Sequence, residues 1–146
     1  LLIVGDGELR QDLLRQIEAN GLNEKIVLKK VQAEKMPDVY IHASIFALSS
    51  RYEGLPMVLL EAQAAGLPIV SFDCKCGPKD LIENGVNGFL VEEGNVDALA
   101  CRLLVLINDK NLRTEMGQAA YRHSALYAEE LIMKQWEDLF QQIIKE

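Results

Sequence analysis

Glu53-Gly54-Leu55-Pro56-Met57-Val58-Leu59-Leu60-Glu61 sets two carboxylates eight positions apart across a loop and the start of a helix. Gly54 and Pro56 mark the loop, and Pro56 stands where a helix begins, the position at which proline costs a helix nothing. Met57 to Leu60 and Ala62 to Gly66 make that helix apolar nearly all round, so it is expected to be largely buried. A carboxylate at Glu61 on such a helix needs a hydrogen-bond partner, because an unpaired buried charge is costly. Helical side chains lean toward the N-terminus. Glu61 is therefore expected to point to the mouth where Glu53 and the free amides of Met57 and Val58 emerge. Two acceptor-only carboxylates beside an anion-friendly helix start suit a ligand with hydroxyls at two places and phosphates between them. A nucleotide-sugar has that chemistry.

Outward from this stretch, short apolar runs alternate with helical patterns. Leu1 to Val4, Ile26 to Lys30, Ser44 to Leu48, Ile69 to Phe72 and Phe89 to Val91 read as strands. Glu8 to Asn20, with Leu9, Leu13, Leu14 and Ile17 at helical spacing, reads as a helix closed by Gly21. Pro37 to Ala43, Pro56 to Ala65 with its Gly66 cap, and Val96 to Asn108 with Leu99, Leu103 and Leu106 inward are further helices. Pro78 to Glu83 is a helical turn, followed by the turn dipeptides Asn84-Gly85 and Asn87-Gly88. This order predicts an α/β chain with a doubly wound parallel sheet, whose ligands bind beyond the carboxyl ends of the strands. The Gly5-Asp6-Gly7, Glu53 and Asp73–Lys79 loops all fall at such ends. Residues 109–146 read as helical throughout, with Leu131, Ile132, Trp136, Leu139, Phe140 and Ile143 spread over more than one face of the last helix. The 146 residues are read as one domain.

A net charge of −7 argues against a general nucleic-acid surface, which needs a basic footprint. The three cysteines include Cys74-Lys75-Cys76, too close for an ordinary structural disulfide, and no second Cys/His pair follows at zinc spacing. That odd count, without a leader sequence, fits a reducing cytoplasm. No apolar run approaches the length of a membrane span. The chain starts at Leu1, already in a strand, and is read as a piece of a longer protein cut at its N-terminal edge.

Ser49-Ser50-Arg51-Tyr52-Glu53-Gly54-Leu55-Pro56-Met57-Val58-Leu59-Leu60-Glu61-Ala62, with Ala65-Gly66-Leu67-Pro68-Ile69-Val70, resembles the donor-binding signature of retaining GT-B glycosyltransferases of family 4. The likeness extends through Leu2-Ile3-Val4-Gly5-Asp6-Gly7 and Asn84-Gly85-Val86-Asn87-Gly88-Phe89-Leu90-Val91, and so covers residues 1 to about 120. It implies the Rossmann-like C-terminal half of a GT-B fold with a helical C-terminal segment. It also implies a role for each motif residue. Glu53 would accept bonds from donor-sugar hydroxyls, and Gly54, Leu55 and Pro56 would let the backbone approach the ring. The Met57 and Val58 amides would face the phosphates, and Glu61 would take the ribose diol. Val31 sits where relatives contact the base through backbone groups, although Lys30 stands where a glycine is common.

The resemblance further implies a bacterial, cytoplasmic hexosyltransferase of polysaccharide biosynthesis that uses a UDP-sugar or similar donor without a metal or other cofactor. Its partners would be the donor and an N-terminal acceptor domain upstream of Leu1, and any peripheral contact with the membrane would run through that domain. Relatives neutralise the diphosphate with an Arg and a Lys in the same upstream region, so the 146 residues alone are expected to bind weakly and transfer nothing. Asp80 is shorter than the glutamate common there and receives no role. Lys79 reads either as a help with phosphate charge or as a solvated surface lysine, Arg51 either as a phosphate-steering cation or, by default, as half of a surface ion pair, and His42 and His123 as ordinary helix residues. A GT-B epimerase or phosphorylase, and a non-catalytic partner-binding α/β module, stay open as alternatives.

Overall fold

The computed structural model describes residues 1–145. The chain divides into two compact units, Leu1–Val39 and Tyr40–Glu146. In the first, strands β1 (Leu2–Val4) and β2 (Val27–Lys29) pair in parallel, with Ile3 opposite Leu28. Helix α1 (Arg10–Ala19) joins them. It buries only Ile17, while Leu9, Leu13 and Leu14 stay exposed. After β2 comes a 3₁₀ turn at Ala33–Lys35, a stretch the sequence pattern left without an element, and then α2 (Met36–Ile41). That helix stops two residues short of the expected Ala43, whose amide closes a turn on the Tyr40 carbonyl at 3.0 Å.

The second unit holds a three-stranded parallel sheet in the order β3 (Phe46–Leu48), β4 (Ile69–Asp73), β5 (Gly88–Glu92). The strands thus divide between two parallel sheets flanked by helices. Strand β4 is central, and Ile69, Val70, Ser71 and Phe72 are all buried, which explains why its apolar residues do not alternate with exposed polar ones. Val70, Phe89, Leu106 and Met116 form the core cluster, with Ile45, Leu99, Leu103 and Leu112 packed against it. The inward leucines of α5 (Val96–Asn108) are those read from the sequence. Asp109 separates α5 from α6 (Lys110–Ser124), its carboxylate accepting from the Leu112 amide at 2.9 Å as an N-cap.

Helix α3 (Met57–Ala64) connects β3 to β4. It ends in a Schellman arrangement: the Gly66 amide bonds the Gln63 carbonyl at 2.8 Å and the Leu67 amide bonds Ala62 at 3.0 Å. Gly66 adopts φ +73°, which a side chain would strain. Helix α6 crosses this turn so closely that a Cβ at Gly117 would run into the Gly66 carbonyl oxygen. Helix α4 (Pro78–Leu81) links β4 to β5.

The last helix, α7 (Glu129–Lys145), was expected to reach Glu146, which lies outside the described residues. It leaves Leu131, Trp136, Leu139, Phe140 and Ile143 exposed, with the Trp136 and Phe140 rings 5.7 Å apart. Among the described residues no helix is long and apolar enough to cross a membrane.

The α3–α6 crossing gives a direct test. Gly117→Ala should cost about 1–3 kcal/mol, the range for forcing an extra methyl into a packed contact. A lowered urea midpoint with an unchanged slope would show it, whereas an unchanged midpoint would mean that α6 does not rest on the Gly66 turn.

Candidate functional site

Because β3 and β4 run parallel, with Phe46 opposite Ile69 and Leu48 opposite Ser71, their carboxyl ends lie side by side. The loop after β3 carries Glu53, Gly54, Leu55 and Pro56, and the loop after β4 carries Cys74 to Gly77. These loops touch. A Cβ at Gly77 would strike the Pro56 ring and lie 2.6 Å from the Gly54 carbonyl oxygen, and Gly77 itself takes φ +88°. Glycine at 77 thus serves both the turn and the close approach. Pro56 caps α3 rather than opening it, and its carbonyl accepts from the Leu59 amide at 2.9 Å. The amides of Met57 and Val58 therefore head the helix, where backbone donors have no partner in their own helix.

The expected burial of α3 needs correction. Leu59, Ala62 and Gln63 are buried, but Met57 is 56% exposed, Val58 38% and Glu61 also exposed. The helix has a core-facing stripe at positions 59, 62 and 63. Its first turn, by contrast, presents apolar side chains to solvent, and Tyr52 and Leu55 of the preceding loop are exposed as well. An apolar sequence therefore did not imply a buried helix. The surface it leaves open is that of the candidate ligand residues.

Glu61 is nevertheless partnered. The Tyr40 hydroxyl donates to Glu61 Oε2 at 2.7 Å. Tyr40 lies at the end of α2, is 5% exposed, and stacks obliquely on Phe46 of β3 with ring centroids 5.9 Å apart. The partner is thus a phenol. Glu53 is half-buried. Burial pushes the Cys74 thiol up in pKa, a backbone hydrogen bond at Cys76 opposes this, and the charge of Glu53 adds to the rise. Cys74 is buried, Cys76 and Cys101 are exposed, and all three are free thiols.

Gln63 and His123 were not singled out by the sequence as partners of this site. The fully buried Gln63 amide donates to the Leu81 carbonyl at 2.7 Å, and Asn87 donates to the same oxygen at 3.2 Å. His123 Nδ1 lies 3.2 Å from Gln63 Oε1, and the Tyr127 hydroxyl donates to the Asp80 carbonyl at 3.2 Å. These bonds fix α3 against α4 and so support both loops from behind. The signal for Gln63 was a lone amide inside an apolar helix. Tyr40 gave none, since it lies 21 positions from its partner.

Val31, the expected base contact, is half-buried after β2 and belongs to the first unit, whereas the other candidates belong to the second. In that first unit Lys30 is engaged with Asp6 of the Gly5-Asp6-Gly7 loop at 2.8 Å. Among the described residues no cluster of three or more His, Cys, Asp and Glu side chains is arranged to hold a metal ion. Two of the recesses among the described residues of the second unit lie at the ends of its sheet. One, of about 580 Å³, is lined by Asp73, Asn84, Glu92 and Glu93 at the carboxyl ends of β4 and β5. The other, of about 500 Å³, lies at the opposite strand ends beside Ser44, Pro68, Arg113 and Arg122.

Residues 1–123 match the family described as glycosyl transferases group 1. Among curated relatives, the amylovoran biosynthesis glycosyltransferase AmsD of Erwinia amylovora is 40% identical over 95% of the chain, and the chain spans 39% of that protein. The Escherichia coli UDP-Gal:α-D-GlcNAc-diphosphoundecaprenol α-1,3-galactosyltransferase is 33% identical over 76% of the chain, which spans 28% of it. Among solved structures, a variant of Staphylococcus aureus TarM in complex with fondaparinux, α-GlcNAc-glycerol and UDP superposes with a TM-score of 0.87. It is 31% identical over 95% of the chain, and the chain covers 28% of it.

Burial, then the hydrogen bond to Glu61 and its negative charge, push the Tyr40 phenol well above its ordinary pKa. The native state therefore holds this proton more tightly than the unfolded chain does. Below about pH 10, where an unperturbed tyrosine keeps its proton, this contribution to stability is fully present. It is lost as pH rises toward the folded-state value. Denaturant midpoints of wild type and Tyr40→Phe should accordingly differ near neutral pH and converge above about pH 10. A gap that stayed constant into the alkaline range would show that the phenol does not titrate with folding.

Proposed function

The chain belongs to the glycosyl transferases group 1 family, and from that premise we propose that it is the nucleotide-sugar-binding domain of a retaining glycosyltransferase of family 4. One domain of this kind would span residues 1–146, with 109–146 as its C-terminal helices. The observation that carries the reading is a single carboxylate, that of Glu61, held by a buried phenol and carried on the helix that starts where Gly77 meets Gly54 and Pro56. In it, Glu61 accepts from the two ribose hydroxyls, and the Met57 and Val58 amides face the diphosphate. Gly54, Leu55 and Pro56 admit the hexose ring to the backbone. Glu53 accepts from hexose hydroxyls.

The chemistry assigned to Glu53 is electrostatic. As the phosphate leaves and an acceptor hydroxyl attacks the same face, positive charge develops on the ring. Hydrogen bonds from the sugar hydroxyls to a carboxylate then strengthen, which lowers the barrier more than it tightens ground-state binding. The helix dipole and first-turn amides, equivalent to roughly half a positive charge, meet the departing diphosphate, and this reading requires no metal. A uridine donor is supported by the relatives, one named for UDP-Gal and one solved with UDP. The acceptor would be a glycan or lipid-linked hydroxyl brought by further sequence of the kind the longer relatives possess, in the cytoplasm and with any membrane contact made outside this chain. The backbone of Val31 as a base contact is proposed on the family resemblance alone.

Two substitutions separate the roles. Glu61→Ala should weaken binding of bare UDP by roughly 10- to 100-fold, the loss of a charge-assisted hydrogen bond worth about 1.5–3 kcal/mol. Glu53→Gln should leave UDP affinity unchanged and lower kcat with the full donor when the acceptor-binding domain is present. Calorimetry with UDP and a donor-consumption assay read the two separately. Unchanged UDP affinity in folded Glu61→Ala rejects the ribose role, and full turnover in Glu53→Gln reduces Glu53 to a loop residue.

A further inference from the structure

We infer that Tyr40 is a positioning residue that sets ribose recognition, by fixing the Glu61 carboxylate in the one orientation from which it can accept from both hydroxyls of a vicinal diol. The inference rests on the proposed ribose role of Glu61 and adds a second residue to it.

Glu61 is exposed and sits on the solvent side of α3. An exposed glutamate on a helix normally samples several rotamers, and holding it still for a ligand costs side-chain entropy at the moment of binding. Here that cost is met in advance. The Tyr40 hydroxyl occupies one acceptor direction of Oε2 at 2.7 Å. Among the described residues Tyr40 is the partner of this carboxylate, so the remaining direction of Oε2 and both directions of Oε1 can serve further donors. Two adjacent hydroxyls need two acceptor directions from a carboxylate whose plane does not turn, and a carboxylate fixed through one oxygen provides them.

The anchor itself is rigid. Tyr40 is 5% exposed and its ring packs on Phe46, which belongs to β3 and pairs with Ile69 of the central strand. Glu61 is therefore referenced to the sheet as well as to its own helix. A tyrosine has only two side-chain torsions, so its hydroxyl is a well-defined donor once the ring is buried. The hydroxyl donates, leaving Glu61 as the acceptor that sugar hydroxyls require. The strong preference of this phenol for its protonated state agrees with that assignment.

The competing account is that the bond only ties α2 to α3. A tie of that kind would affect every ligand of the site alike. A positioning role affects only ligands that use the diol. The test is an NMR-monitored titration of the 146-residue chain with UDP and with 2′-deoxy-UDP, for wild type, Tyr40→Phe, Glu61→Ala and the double variant, with thermal unfolding as the check on folding. Wild type should prefer UDP, and Glu61→Ala should abolish the preference. Tyr40→Phe should reduce it by about fivefold or more, leave 2′-deoxy-UDP affinity unchanged, and have no further effect in the Glu61→Ala background. If Tyr40→Phe keeps the full preference, or weakens both nucleotides equally, the positioning role is wrong while the ribose role of Glu61 stands. If wild type itself shows no preference, the ribose role fails and the inference falls with it.

Discussion

The parallel pairing of β3 with β4 is the constraint on which the candidate site depends. Parallel neighbours end on the same edge of a sheet, so the loop that follows each strand must leave from the same place. Two loops in so small a space either clash or fit. They fit here because Gly54, Pro56 and Gly77 bring backbone against proline ring with no side chain between them. The same crowding determines where α3 begins. Pro56 caps it, the first turn projects beyond the sheet edge, and the core contact starts only at Leu59. The exposed Met57, Val58 and Glu61 are a consequence of that geometry.

Electrostatics then limits what the site can hold. The chain carries a net charge of −7, and the edge where the loops meet also bears Asp73, Glu92 and Glu93. A bare anion gains little from such a surface. A ligand rich in hydroxyls gains much, since ionised carboxylates only accept hydrogen bonds. The proposed place for the phosphates is the start of α3, where amides and the helix dipole favour negative charge. In the proposed ligand hydroxyls lie on both sides of the phosphates, as Glu53 and Glu61 lie in sequence on both sides of the α3 start. Support comes from behind the loops, where Gln63 joins α3 to the Leu81 carbonyl and His123 backs Gln63.

Much of this was legible in the sequence because local signals agreed. The strands around Ile69 and Phe89, the inward Leu99, Leu103 and Leu106, and the Gly66 cap each carry a period or a turn residue that a reader can see. The E-x7-E spacing likewise placed the candidate carboxylates on the loop and helix where they are found. What failed was inference from average polarity. Met57 and Val58 are apolar yet exposed, because a helix that begins at a sheet edge has its first turn outside the core. Tyr40 failed for a different reason. Its bond to Glu61 joins residues 21 apart, and the pairing is created by packing on Phe46, which no periodicity encodes. The 3₁₀ turn at Ala33–Lys35 was missed because Gln32-Ala33-Glu34-Lys35 carries no apolar period or capping signal.

The central claim is that one end of one sheet, the carboxyl edge of β3 and β4, binds a nucleotide-sugar. Titrating the isotope-labelled chain with UDP while following backbone amide shifts tests it most directly, because every amide reports its own position. The account predicts weak, saturable binding with the largest shifts at Gly54, Met57, Val58 and Glu61 and at Gly77 on the facing loop. Shifts gathered instead around Ser44, Arg113 and Arg122, at the opposite strand ends, would contradict it, as would the absence of saturable shifts at any amide.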